Sequence, residues 1–299
     1  MNTPKKSPRS AALTRRTLMR SSLPVLLGLC GVSGLALAEE RSAMDKIRER
    51  GVLKVALYKD NAPYSDGKNE NMTGLDASLA KALADRIGLK VAFLPFDAGE
   101  NMGDDLRNMV WKGHYMGYGP ADVMLHVPVD KYFMEDNRQA FIFAPYTREH
   151  LVVLHNPKKL AEVANPEDLV EQRVGAEQGT GAASALLGYH GGLLRDRVVL
   201  YKDGIDAARA VLAGKVDAAF VSLAQAEAAV FEAHQSPKDW AFSTLTVPGV
   251  PPNGWALGMA VKSDNKELAK QLDDALEALR KSGELLALFQ AHGMTLAAP

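Results

Sequence analysis

The sequence predicts an α/β fold built in two halves, and three observations carry that prediction. Short apolar runs bounded by turn residues alternate with stretches of helical spacing, the order that gives largely parallel sheets flanked by helices. Two such alternating series follow one another, over residues 53–125 and 174–221. Two extended stretches, near 145–150 and 253–258, would carry the chain out of the first half and back into it.

The N-terminus comes first. Lys5, Lys6, Arg9, Arg15, Arg16 and Arg20 make a basic leader without an acidic residue, followed by an apolar run over 23–36 and the small-x-small triplet Ala36-Leu37-Ala38. Residues 1–38 therefore read as a cleavable secretory signal peptide, too short to be a membrane span. The pair Arg15-Arg16 before Thr17-Leu18-Met19 fits the twin-arginine route. Cys30 follows Leu29, where a lipoprotein needs a small residue, so no membrane anchor is expected.

Six of the 35 basic residues lie in that leader, which leaves 29 against 36 acidic ones and a charge of about −7 on the mature chain. An acidic surface argues against nucleic acid or an anionic membrane as partner. The single cysteine also goes with the leader, so no disulfide, thiolate-held metal or thiol nucleophile is expected, and no cofactor.

In the first half, strands are expected over 53–58, 91–94 and 123–125. A helix over 76–87 has Leu79, Ala80, Leu83, Ala84 and Ile87 at helical spacing and ends at Gly88; a second runs over 104–112. In the second half, strands are expected over 151–154, 174–176, 198–201 and 218–221, with helices from 181 and over 205–213. A strand over 255–261 and an amphipathic helix over 267–280, broken at Ser282-Gly283 before a last helix over 284–290, complete the pattern. These elements divide the chain into a discontinuous first lobe, 39–145 plus 256–299, and a continuous second lobe, 146–255.

Residues 121–146 hold the prospective mouth of a cleft. Val123-Met124-Leu125 reads as a buried strand, His126 ends the apolar run, and Pro128 argues against continuation as a central strand. A polar loop over 126–137 follows, and such strand ends are where open α/β sheets hold ligands. Tyr58, Asn61 and Tyr64 lie just past the first strand and would form one wall. Gln178-Gly179-Thr180-Gly181 offers backbone N–H groups and a hydroxyl at a helix start, suited to a carboxylate or to simple capping by Thr180. Asp76 reads as a helix cap. Coordination of a metal by His126 with Met124, His114 and Met116 is disfavoured, since methionine is common core filler, and no metal site is expected. Residues 113–120, GHYMGYGP, read as a surface loop with Tyr115 and Tyr118 as partner-facing side chains. Glu177, Asp203 and Asp130 are the carboxylates nearest the expected cleft.

Over residues 51–291 the chain resembles the family 3 periplasmic solute-binding proteins that serve ABC importers. The resemblance is carried by Gly51-Val52-Leu53-Lys54-Val55-Ala56, Asn61-Ala62-Pro63-Tyr64, Gly74-Leu75-Asp76, Pro145-Tyr146, Gln178-Gly179-Thr180-Gly181, Gly214-Lys215-Val216-Asp217-Ala218 and Lys281-Ser282-Gly283-Glu284-Leu285, in order. It implies a two-lobed periplasmic-binding-protein fold, hinge closure on a small polar solute and an ABC permease as partner. It also places Tyr58, Asn61, Tyr64, His126, Asp130, Tyr146, Gln178, Gly179, Thr180 and Ser222 around the ligand. Amino-acid binders of this type carry an arginine on the loop after the third strand, yet none occurs here before Arg138. Ser222 stands where their acidic partner for the ammonium is expected. The implied ligand is therefore not an ordinary amino acid.

Asn61-Ala62-Pro63-Tyr64-Ser65, Leu106-Arg107-Asn108 and Ala121-Asp122-Val123-Met124 with Val127-Pro128 are similar to a narrower branch, the periplasmic proteins associated with PQQ-dependent quinoprotein alcohol dehydrogenases and methanol oxidation. That branch implies a quinoprotein dehydrogenase or its cytochrome as partner, and usually has a small residue where His126 stands. Two other readings stay open: an interaction protein that has lost its ligand, and an enzyme like the periplasmic cyclohexadienyl dehydratases, which share the fold.

Overall fold

The computed structural model describes residues 42–68 and 71–299; the expected leader lies outside them. The first half opens with α1 (Ala43–Arg50), entered through a capping box in which the Ser42 hydroxyl accepts from the Asp45 N–H and the Asp45 carboxylate accepts from the Ser42 N–H. Next come β1 (Val52–Tyr58), the short hairpin β2 (Asp60–Asn61) and β3 (Ser65–Asp66), α2 (Leu75–Arg86) and β4 (Lys90–Phe96). Helix α3 (Met102–Leu106) continues as a π turn over Arg107–Trp111, and β5 (Val123–Pro128), α4 (Lys131–Asp136) and β6 (Ala140–Glu149) follow.

The second half holds β7 (Leu151–His155), β8 (Val174–Glu177), α5 (Gly181–Gly188), β9 (Val198–Tyr201), α6 (Gly204–Leu212), β10 (Ala218–Ser222), α7 (Leu223–Glu232) and β11 (Ala241–Ser243). The chain then returns through β12 (Trp255–Lys262) to α8 (Lys266–Ser282) and α9 (Glu284–Ala291).

Two five-stranded sheets result, in the orders β4-β1-β5-β12-β6 and β11-β7-β10-β8-β9. Both are mixed rather than largely parallel. The strands of the β-α-β units are parallel to one another (β4, β1 and β5; β10, β8 and β9), whereas β12 runs against its neighbours β5 and β6, and β7 runs against its neighbours β10 and β11. In the first sheet the physical reason is connectivity: β6 carries the chain out of the lobe and β12 brings it back alongside, so the two pair antiparallel and β12 opposes β5 as well. β6 and β12 also pair with each other, Glu149 opposite Trp255 and Lys262 opposite Ala140. Residues 146–149, expected in the second lobe, are thus part of the first sheet.

Helix α8 shows how the first lobe is held. Leu268, Leu272, Leu276 and Leu279 lie on one buried stripe, each contributing roughly 1.5–3 kcal/mol on leaving water. They join Leu79 and Leu83 of α2 and Phe289 of α9 in one core, while Leu106, Met109 and Met124 build the core on the opposite side of the sheet. The second sheet is likewise covered on both sides, with Ile205 and Val211 in one cluster and Leu186 and Phe220 in the other.

Three further departures are informative. β5 runs on to Pro128 as an inner strand; Pro128 occupies its last position, where the missing N–H costs least. The loop expected over 126–137 contains α4, capped by the Asp130 side chain on the Phe133 N–H at 2.9 Å. Helix α7 begins at the residue expected to face ligand, Ser222.

Candidate functional site

Where the two lobes meet, a cavity of about 270 Å³ opens at the ends of the strands. Asn61 reaches it from the β2–β3 hairpin, and Glu149 and Trp255 from the paired crossing strands. Glu177 comes from the end of β8, Thr180 to Ala182 from the start of α5, and Phe220 to Ser222 from the end of β10. Gln225 of α7 and residues 249–251 complete the lining with Leu151. Beside Asn61, Asp60 forms an ion pair with Lys202 of the second lobe at 3.7 Å. Farther away, Glu227 of α7 accepts from the Thr295 N–H and hydroxyl at 2.7 and 2.6 Å, so the C-terminal tail ties the first lobe to the second.

Much of the polar lining is already engaged. The Thr180 hydroxyl donates to the Glu177 carbonyl at 2.8 Å and accepts from the Ala183 N–H at 3.2 Å. Ser222 and Gln225 form a capping box at 3.2 and 3.1 Å. Glu177 Oε2 accepts from the Gly204 N–H at the start of α6 and from Gln225 Nε2, at 2.9 and 3.1 Å. Burial raises the Glu177 pKa; those two donors oppose the shift, and the nearby Asp203 and Glu149 charges add to it. In contrast, Asn61 Nδ2 is buried and has no hydrogen-bond partner among the described residues. No Lys, Arg or His lines the cavity among the described residues.

A second polar cluster is buried in the first lobe. Asp76, fully buried at the start of α2, accepts from the Tyr146 hydroxyl at 2.7 Å and faces His126 Nδ1 at 3.1 Å. Tyr64 lies edge-on to His126 with ring centroids 4.4 Å apart, and its phenol lies near Glu149. Burial, then the Glu149 and Asp76 charges, push the Tyr64 phenol well above its ordinary range, so it is a donor. Burial alone would lower the His126 pKa, but the bond to Asp76 and the Asp76 and Glu149 charges outweigh it and the net shift is upward. His126 has φ 64°, a left-handed conformation unusual for a non-glycine residue. The Tyr58 ring also meets His126 edge-on, with centroids 6.5 Å apart, but its hydroxyl donates to Asp105 Oδ2 at 2.8 Å, while Asp105 Oδ1 accepts from the Gly99 N–H at 2.9 Å.

Of the ten residues expected around ligand, the structure brings Asn61, Thr180 and Ser222 to the cavity. Tyr64, His126 and Tyr146 belong to the Asp76 cluster, with Tyr64 near the cavity-lining Glu149; Tyr58 is a core residue bonded to Asp105. Asp130 is an exposed helix cap, and Gln178 and Gly179 form an exposed turn before α5. Met124 is buried in the first-lobe core, and His114 stacks between Tyr115 and Tyr118 on the 113–120 loop. Glu149, Trp255, Phe220 and Gln225 were not foreseen. Only Gln225 had a local signal: Ser222-x-x-Gln225 is a capping-box spacing that announces α7 and draws Gln225 to the strand end.

No protein-family model matches the sequence. The L-cystine-binding protein TcyJ of Escherichia coli (strain K12) is 25% identical over 281 residues, spanning 93% of this chain and 95% of that protein. A cyclohexadienyl dehydratase from Pseudomonas aeruginosa is 23% identical over 202 residues, 66% of this chain and 69% of the enzyme. Among solved structures, an ancestral cationic amino acid solute-binding protein, AncCDT-1, is 23% identical and superposes with a TM-score of 0.64, covering 84% of this chain and all of that one. The fold is the two-lobed solute-binding fold. An amino acid ABC transporter substrate-binding protein from Streptococcus pneumoniae, bound to L-arginine, agrees, with a TM-score of 0.59 at 21% identity over 86% of this chain and 100% of that one.

Proposed function

We propose that this protein captures a small polar solute in the cavity between its lobes and does not transform it. The observation that carries the reading is a cavity at the strand ends, walled by both sheets and by the paired crossing strands, with a buried donor, Asn61 Nδ2, that has no partner among the described residues. Two lobes joined by two adjacent strands are suited to hinge closure around a solute. The likeness to TcyJ over nearly the whole length of both chains supports solute binding, with an ABC permease as the receiving partner. Export through the 1–38 leader would deliver the protein to the periplasm; N-terminal sequencing of the exported protein should begin at Glu39. Among the described residues no helix is long and apolar enough to cross a membrane.

Thermal denaturation against a broad panel of amino acids, amines, organic acids and quinone-related metabolites tests the reading. A solute at 100 times its Kd stabilises the folded state by about 2.7 kcal/mol. Small-angle scattering should show a smaller radius with the same solute. A panel that moves neither quantity at millimolar concentration counts against solute capture, and turnover of prephenate or arogenate would make the protein an enzyme.

A second reading, docking on a quinoprotein dehydrogenase or its cytochrome, draws on the exposed tip of the 113–120 loop. Tyr115 is 91% and Met116 69% exposed there. Removing both side chains should abolish co-purification with such a partner; unchanged co-purification would place the contact elsewhere.

A further inference from the structure

We infer that the solute is a small organic amine bearing an oxygen acceptor and no carboxylate, the chemistry of an amino alcohol; this rests on the solute-capture reading. The charges of the cavity point that way. Glu149 and Glu177 both line it, and no side chain of opposite sign does so among the described residues. The nearby positive charge favoured on His126 is already faced by the Asp76 carboxylate, so it does not offset the two glutamates. A carboxylate entering this space meets two of its own sign, while an ammonium meets two partners.

The state of Glu177 agrees with a missing cation. Its pKa is raised by burial and by Asp203 and Glu149 despite two hydrogen-bond donors on Oε2, so an arriving ammonium would supply the compensation that the protein does not. The Tyr64 phenol near Glu149 is kept in its neutral, donating form, so it adds no negative charge to the wall. Phe220 and Trp255 give the cavity aromatic walls, which attract cations and shed water around an alkyl chain.

The oxygen acceptor follows from Asn61. A buried amide N–H without a partner is costly, and an incoming hydroxyl or carbonyl oxygen would satisfy it. The neighbouring hydroxyls are less suited to select a ligand, because Thr180 and Ser222 are both spent on helix caps.

Isothermal titration of the mature protein with matched pairs tests this. Ethanolamine should bind at least about tenfold more tightly than L-serine, which differs by the carboxylate, since one charge-assisted contact carries roughly that factor. Ethanolamine should also outbind ethylamine, which lacks the oxygen. Glu149→Gln and Glu177→Gln should each weaken ethanolamine about tenfold or more, and Asn61→Ala should erase its advantage over ethylamine while the glutamate dependence persists. L-Serine binding as tightly as ethanolamine overturns the inference and leaves solute capture standing. So does an absence of heat from every amine when another solute of the wider panel raises the Tm. If nothing on either panel binds, both readings fall.

Discussion

Asp76, buried in the first lobe, and Glu177, lining the cavity between the lobes, are both carboxylates, and the protein treats them differently. Around Asp76 the donors are supplied from within: the Tyr146 hydroxyl on one oxygen, the His126 imidazole on the other, with the Tyr64 ring closing the side. Around the cavity, Glu177 and Glu149 share a wall without a basic side chain, and Asn61 Nδ2 points at no acceptor. A completed buried network fixes one conformation; an incomplete one at an opening holds a place for something else. Substitutions in the first region should therefore register in stability, and those in the second mainly in binding.

The largest effect should come from Asp76→Ala. It strands the His126 imidazole and the Tyr146 hydroxyl in a buried site, and breaking a buried pair of this kind costs about 3–5 kcal/mol. Urea denaturation would show it as a lower midpoint at unchanged slope; a loss under about 1 kcal/mol would remove the contrast between the regions. Ser222→Ala sharpens the comparison from the cavity side. Although Ser222 lines the cavity, its hydroxyl caps α7, and loss of the cap should cost about 1 kcal/mol of stability. Unchanged stability would free that hydroxyl for ligand.

A smaller effect should appear with pH. The His126 pKa is raised in the folded state, so its contribution is fully present below the unfolded value of about 6.5 and is lost as pH rises through the folded value. The urea midpoint should fall across that window in the native protein and fall less in His126→Gln. Equal slopes in the two proteins would show that the imidazole does not contribute in this way.

The fold was legible because periodicity reports burial, and burial follows the layers: α8 and β10 read the same in the sequence and in the structure. The site was legible only in part. Tyr58, His126 and Tyr146 have the polar tips expected of ligand-facing residues, but a sequence does not show that Asp76 and Asp105 reach those tips first. Glu149 was hidden for the opposite reason. It is one of 36 acidic residues, and its role depends on the pairing of β6 with β12 across more than a hundred residues of chain. The short helices had signals of their own in the side-chain caps Ser42, Asp130 and Ser222.

The strand pairing that sets Glu149 opposite Trp255 has a practical consequence. Of the three indoles in the chain, Trp111 ends the π turn of the first lobe and Trp240 precedes β11, while Trp255 alone borders the cavity. Its intrinsic emission is a built-in optical gauge, sensitive both to what enters and to any flexing of the strands beneath it. Occupancy can thus be followed in the unlabelled protein, with Trp255→Phe as the blank.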